Sequence, residues 1–242
     1  MAAEQDWRRT EEKVSRQGVT GMGKAEKEAE RLRKKMEALE KEKARMYELF
    51  AYEREYQKYQ LICGIDEAGR GPWVGPVVAG AVILPKDCDI LYINDSKKLS
   101  EAKREELYDV IREKAVAWAV GSASEQRIDE INILQATYEA MRQAIAGLGV
   151  TPDLLLNDAV IIPKVEIPQV KIIKGDAKSA SIGAASIMAK VTRDRMLREY
   201  DKLYPEFQFA KNKGYGTKDH IEALKKYGPT PIHRKTFIKN YV

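Results

Sequence analysis

Asp66 and Glu67 close the apolar run Leu61-Ile62-Cys63-Gly64-Ile65 and are followed at once by Ala68-Gly69-Arg70-Gly71-Pro72, which sustains neither strand nor helix. Asp158 closes Leu154-Leu155-Leu156-Asn157 in the same manner. Asp176 follows Val170-Lys171-Ile172-Ile173-Lys174-Gly175 just ahead of a long helical stretch. Each acid has an ordinary reading, since acids before glycine open turns and an acid ahead of a helix caps it. Their recurrence at strand ends, where α/β sheets collect ligands, points instead to a shared site. Side chains alternate along a strand, so Asp66 and Glu67 reach one site only where the backbone twists, which makes Asp66 the firmer candidate. Four converging carboxylates repel one another and resist full ionisation unless a cation sits among them. An all-oxygen set without His or Cys selects Mg2+ or Mn2+ over zinc. Two such ions about 4 Å apart activate water on one side of a phosphodiester and stabilise the leaving oxygen on the other, so the matching chemistry is phosphoryl-transfer hydrolysis.

Groups suited to a nucleic-acid backbone follow. Ser179, Ser186, Lys190 and Arg193 fall at steps of seven, four and three, one face of a helix, and hydroxyls leading to cations suit phosphates; a solvated basic face explains the two cations equally. From residue 209 to 242, Lys/Arg at 211, 213, 218, 225, 226, 234, 235 and 239 face only Asp219 and Glu222. Tyr204, Phe207, Phe209 and Tyr215 interleave with this basic stretch, as where sugars or bases stack beside a neutralised backbone. Gly214-Tyr215-Gly216 presents its tyrosine on a flexible turn. His220 and His233 read as structural hydrogen-bonding groups, because hard-ion sites prefer oxygen. Cys63 reads as core.

The elements that must position these groups form an α/β pattern from Leu61 onward. Strands are predicted over 61–66, 77–84, 115–123, 153–158 and 170–173, with a short one at Tyr92–Ile93. Helices are predicted over 101–114, capped by Ser100, over 127–147 with Ile128, Ile131, Leu134, Tyr138 and Met141 facing the core, over 177–200, and over 217–227. Residues 1–60 differ: 15 Lys/Arg, 13 Asp/Glu and no Pro, with Leu32, Met36, Leu39, Met46 and Phe50 spaced for one amphipathic helix over about 24–56. Residues 1–20 are expected to fray. The division is therefore a charged helical extension, 1–60, and a domain over 61–242.

The chain has 242 residues, 44% hydrophobic and 33% charged, with net charge +5. That suits a globular protein with a buried core. No apolar run approaches the roughly 20 residues of a bilayer crossing, and the first residues carry no signal-peptide pattern. Two cysteines in apolar surroundings argue against a disulfide framework, so a cytoplasmic protein without a membrane role is expected.

Seven ordered stretches then fit one family: residues 64–72, 94–99, Asp158, 174–179, 184–194, 213–217 and 231–234. Together they resemble bacterial ribonuclease HII over about residues 61–241. The resemblance implies an α/β fold with an RNase H-like mixed sheet flanked by helices, an N-terminal helical extension and C-terminal helices. It implies hydrolysis of RNA in RNA–DNA hybrids and cleavage 5′ of single ribonucleotides embedded in duplex DNA, with Mg2+ or Mn2+, by a monomer. Asp66, Glu67, Asp158 and Asp176 match the family's metal-binding carboxylates, the four reached above from strand and helix ends. Gly69, Arg70 and Gly71 match its backbone loop at the ribose 2′-hydroxyl, the atom that separates RNA from DNA. Tyr215 matches the aromatic that packs on the neighbouring deoxyribose. Asp95-Ser96-Lys97 matches the family's turn, and Ser96, Lys97 and Lys190 are expected near phosphates. Asn157 departs from an apolar position and is expected to disturb its strand; Trp73 departs from a smaller residue and is expected at the rim of the substrate groove. The alternative reading is a non-catalytic nucleic-acid-binding or partner-recruiting protein on the same scaffold, supported only by the charged N-terminal helix.

Overall fold

The computed structural model describes residues 2–242, with side chains described from Glu26 onward. Two compact units are present, Met1–Arg45 and Met46–Val242. The first is helical: α1 (Ala2–Leu49) starts in it, so the helix runs through the residues expected to fray. Ion pairs one turn apart, Arg33 with Glu30 at 2.8 Å and Lys43 with Glu40 at 2.8 Å, are what its charge-rich composition supplies.

The second unit takes in residues 46–60 as well as the α/β region. Met46 and Leu49, at the end of α1, are buried in it, and α2 (Ala51–Glu55) follows. Five strands then form one sheet: β1 (Ile62–Ala68), β2 (Val77–Ile83), β3 (Ala117–Ala123), β4 (Leu154–Asp158) and β5 (Gln169–Ile172). Their order is β3-β2-β1-β4-β5. The first three pair antiparallel, and β4 and β5 join in parallel, so the sheet is mixed. Residues 91–95, which include the short strand predicted at Tyr92–Ile93, are irregular, because Tyr92 takes a left-handed φ of 69° that ends an extended run.

Helices cover both faces. On one lies α5 (Ala180–Leu203), whose small residues let it approach closely. A β-carbon on Gly64 would stand 2.1 Å from the Ser181 carbonyl carbon, and one on Gly80 would stand 2.3 Å from Ala185 O. On the other lies α4 (Glu125–Ala146), packed on Cys63, Ile65, Ala79 and Ala81. It bends at Asn132, whose φ of 65° is non-helical and whose Oδ1 accepts the N–H groups of Leu134 and Gln135. That break rotates Leu134, expected in the core, out to the surface. The remaining helices are α3 (Glu101–Lys114), capped by Ser100 as predicted, α6 (Phe209–Asn212), α7 (Lys218–Tyr227), capped by Thr217, and α8 (Lys235–Ile238). No helix among the described residues is long and apolar enough to cross a membrane.

Candidate active site

Strand register brings the first and third acids together. In the parallel pair, Ile65 stands opposite Asn157, so Asp66 and Asp158 occupy the next level of adjacent strands and share a face. That face is the one α5 covers, where Ile62, Leu154, Leu156 and Ile182 form a cluster beneath them. Asp158 Oδ1 accepts the N–H of Gly175 at 2.7 Å, which holds the segment bearing Asp176 against the end of β4. Asp176 is not the cap of α5. It sits in a short 3₁₀ turn, Gly175–Ala177, after Lys174 takes a left-handed φ of 57°, and the cap is Ser179.

The electrostatics tie the four acids into one site. Burial raises the Asp66 carboxyl well above its ordinary value; Glu67 and Asp158 push the same way, against hydrogen bonds from Ser186 and the Glu67 N–H. Burial also raises Glu67, with Asp158 adding to it and Arg70 and Lys97 opposing. Asp176 is raised by burial, by Asp95 and by Asp158. Asp95, which sequence reasoning left out of the site, thus stands beside the fourth acid while its Oδ1 caps the Ser96–Lys98 turn through the Lys97 N–H at 2.9 Å.

Among the described residues no three His, Cys, Asp or Glu side chains close into a ready metal shell. The donor chemistry nevertheless fits a hard divalent cation: the donors are all carboxylate oxygens, and Glu67 Oε2 is buried without a hydrogen-bond partner. Cationic neighbours are few. Arg70 Nη1 lies 3.4 Å from Glu67 Oε1. Burial lowers the Lys97 ammonium, but Asp95, Asp66, Asp176 and Asp158 outweigh it and leave the group raised.

The groups expected at phosphates divide. Lys97 lies among the acids. The Ser96 hydroxyl is buried and meets Ser186 Oγ at 2.9 Å, and Ser186 in turn bonds Asp66, so this serine supports the first acid from behind. Lys190 donates to Asp194 Oδ1 at 2.6 Å, and burial lowers its ammonium. Ser179 is buried, its hydroxyl donating to Glu53 Oε1 at 2.6 Å. Arg193 is also buried and donates to backbone carbonyls, so the predicted phosphate-facing stripe does not form. Helical spacing identifies one face of α5 but not what covers it, here loops from distant parts of the chain. Glu53, outside the resemblance, also takes the Ser181 N–H at 2.9 Å; nothing in its charge-rich surroundings distinguished it.

The loop at Gly69, Arg70 and Gly71 and the turn at Tyr215 come together. Gly69 has φ +93°, and a β-carbon there would lie 2.1 Å from Arg193 Nε. A β-carbon on Gly71 would make an ordinary contact with the Tyr215 ring, 3.5 Å from Cε1. Tyr215 is 52% exposed. Phe207 and Phe209 are not available for stacking on substrate, being buried and stacked on one another at 5.2 Å. His220 and His233 are structural, joined Nε2 to Nε2 at 3.0 Å. Trp73 packs on Tyr241 at 4.4 Å and on His220, bracing the turn from inside. Asn157 is buried without disturbing its strand, because its Nδ2 donates to Gln169 Oε1 at 2.8 Å and Gln169 bonds both backbone groups of Ile162.

A mixed five-stranded sheet with acids at adjacent strand ends is the arrangement of a hydrolytic nuclease, and comparison with known proteins is specific. Residues 63–240 match the family Ribonuclease HII. A ribonuclease HII of Lachnoclostridium phytofermentans is 69% identical over 204 residues, 84% of this chain and 80% of that one. One from Clostridioides difficile is 53% identical over 234 residues, 96% of this chain and 88% of that one. The crystal structure of ribonuclease H2 from Pyrococcus horikoshii superposes with a TM-score of 0.63 at 30% identity, covering 75% of this chain and 96% of that one. The chain belongs to the ribonuclease HII family. It is an endoribonuclease of the ribonuclease H class, which acts on RNA–DNA hybrids.

Proposed function

We propose that this enzyme, beyond cutting RNA in hybrids, cleaves 5′ of single ribonucleotides embedded in duplex DNA, leaving 3′-hydroxyl and 5′-phosphate ends. Asp66, Glu67, Asp158 and Asp176 would hold divalent ions, Mg2+ or Mn2+. Bound there, two ions supply an activated water and stabilisation of the leaving oxygen. The observation that carries this reading is the pairing of Asp66 and Asp158 at one level of adjacent parallel strands, beside a buried Glu67 oxygen without a partner.

The chain's own residues do the rest. The N–H of Glu67 donates to Asp66 Oδ1 at 2.7 Å and the N–H of Gly175 to Asp158 Oδ1, so a backbone donor fixes one oxygen of each acid. Ser186, braced by Ser96, orients Asp66. Lys97 lies close enough to the acids to meet a non-bridging phosphate oxygen. The 69–71 backbone reads the ribose 2′-hydroxyl, and Tyr215 packs on the next deoxyribose, which makes the junction and not the base sequence the recognised feature. Lys225, Lys226, Lys235 and Lys239, all exposed, add sequence-independent attraction for the duplex. The enzyme acts as a cytoplasmic monomer in this reading.

Three matched duplexes test it: all DNA, DNA with one ribonucleotide, and an RNA–DNA hybrid, each with and without Mg2+ or Mn2+. Cutting confined to the two ribonucleotide-containing substrates, dependent on the ion and placed 5′ of the single ribonucleotide, is expected. Equal cutting of the all-DNA duplex would overturn the reading.

A further inference from the structure

Arg193, on α5, and Arg234, just ahead of α8, are 1% and 0% exposed. A buried guanidinium must find acceptors for its donors, and these two find backbone carbonyls, all but one of them in a single loop. Arg234 donates from Nε to Gly75 O at 2.9 Å and from Nη2 to Gly75 O and Gly69 O, both at 2.6 Å. Its Nη1 donates to Pro72 O at 2.7 Å and Arg70 O at 3.1 Å. Arg193 donates from Nε to Pro76 O at 3.1 Å and from Nη2 to Val74 O at 2.7 Å. Glu125 is buried near both and offsets their charge; burial and Arg193 push Arg234 down to about 9, so it stays protonated at neutral pH.

Two consequences follow from this arrangement. The peptides are trans, so a carbonyl turned inward directs the next N–H outward; with the Gly69 and Arg70 carbonyls on Arg234, the N–H groups of Arg70 and Gly71 point away from it. The third bond of Arg193 leaves the loop altogether: Nη1 donates to Lys213 O at 3.1 Å, in the turn that carries Tyr215. Beside it the Trp73 N–H donates to Gly214 O at 2.8 Å.

We propose that Arg193 is a positioning residue that clamps the 69–76 loop to the Tyr215 turn, so that the ribose 2′-hydroxyl and the adjacent deoxyribose are read by one rigid unit. The proposal rests on the assignment of those two elements as the ribose and deoxyribose readers. A lysine carries the same charge but cannot span Pro76, Val74 and Lys213 at once.

The test compares wild type, Arg193→Lys, Tyr215→Ala and the double variant, all in the full chain. The rate on a single-ribonucleotide duplex is divided by the rate on a uniform RNA–DNA hybrid. Arg193→Lys is expected to lower this preference by about 10- to 100-fold, a cost ordinary for small misplacement of a substrate-contacting group. Its rate on the uniform hybrid should fall less, because that substrate offers the Tyr215 turn no deoxyribose. The double variant should lose no more preference than the worse single variant, because both changes remove one function. Additive losses, or an equal loss on both substrates, would overturn the clamp. Hydrogen exchange on the wild-type protein needs no variant to fold: the Trp73, Gly75, Gly214 and Tyr215 amides should open together with one free energy. Independent opening of loop and turn would overturn the proposal. A wild type that does not cut at a single ribonucleotide contradicts the functional assignment, and the exchange result then still decides whether loop and turn are clamped.

Discussion

The Oδ1 of Asp158 accepts the backbone N–H of Gly175 at 2.7 Å, so the acid that ends β4 fixes the residue immediately before the last acid of the site. Two carboxylates far from each other along β4, β5 and the turn that follows are thereby spaced by a single bond. The same device recurs at β1, where the N–H of Glu67 holds Asp66. Backbone donors hold these acids where mutual repulsion would drive them apart.

That repulsion has a stability consequence. Burial and neighbouring acids raise the Asp66 carboxyl, so its charged form destabilises the fold at neutral pH. Asp66→Asn keeps an acceptor for the Glu67 N–H and removes the charge. In the presence of a chelator the variant should be more stable than wild type by about 0.5–2 kcal/mol in urea unfolding. Adding Mn2+ should stabilise wild type and narrow the gap. A variant less stable than wild type in chelator would contradict the crowding of charge at this site.

Gly69→Ala should be costly for two separable reasons. Its φ of +93° is strained for any L side chain, and the new methyl would meet Arg193 Nε at 2.1 Å. Thermal unfolding should show a loss of about 1–3 kcal/mol, with preference for a single ribonucleotide falling alongside it. Gly71→Ala, whose methyl would only touch the Tyr215 ring at 3.5 Å, should be the milder change in both measurements.

Tyr215→Ala should separate recognition from stability. The ring is half exposed, so unfolding should move by no more than about 0.5 kcal/mol. Loss of stacking on the sugar should weaken junction preference by an amount corresponding to about 1–3 kcal/mol. Cleavage of a uniform hybrid and of a single-ribonucleotide duplex, followed side by side, measures it.

The buried histidine pair predicts a pH dependence. Burial and His220 hold His233 down to about 4, and burial also lowers His220. Both rings are therefore favoured neutral in the fold, and their contribution is full above the ordinary histidine value of about 6.5 and lost as pH falls toward about 4. For His233 the loss is on the order of 3 kcal/mol. Urea midpoints between pH 7.5 and 4 should fall more steeply for wild type than for His233→Asn. Parallel curves would contradict the assignment.

What the sequence made legible, and what it hid, follows from the range of the forces involved. Asp66 and Asp158 were readable because an apolar run ending in an acid is a local pattern, and register follows from strands being neighbours. Ser100 was readable as a cap for the same reason. The cap weighed for Asp176 beside its role in the site falls to Ser179 instead, because a left-handed turn at Lys174, unusual for lysine, inserts a 3₁₀ segment ahead of it. Helical spacing leaves Arg193 between a phosphate contact and a solvated basic face, because periodicity cannot reveal that carbonyls of residues 74, 76 and 213 converge on it. Phe207 and Phe209 looked available for stacking because basic neighbours in sequence do not imply exposure. Glu53 lay in a segment whose acids outwardly look alike, and only contact with the start of α5 sets it apart.

The most direct test of the account is single-turnover cleavage of a duplex bearing one ribonucleotide by wild type and Asp158→Asn at saturating Mg2+, with binding followed by fluorescence anisotropy. Asn at 158 can still accept the Gly175 N–H, so the fold and duplex affinity should persist while the rate falls by about a hundredfold or more. Cleavage by Asp158→Asn at the wild-type rate would contradict the assignment of these acids to the reaction.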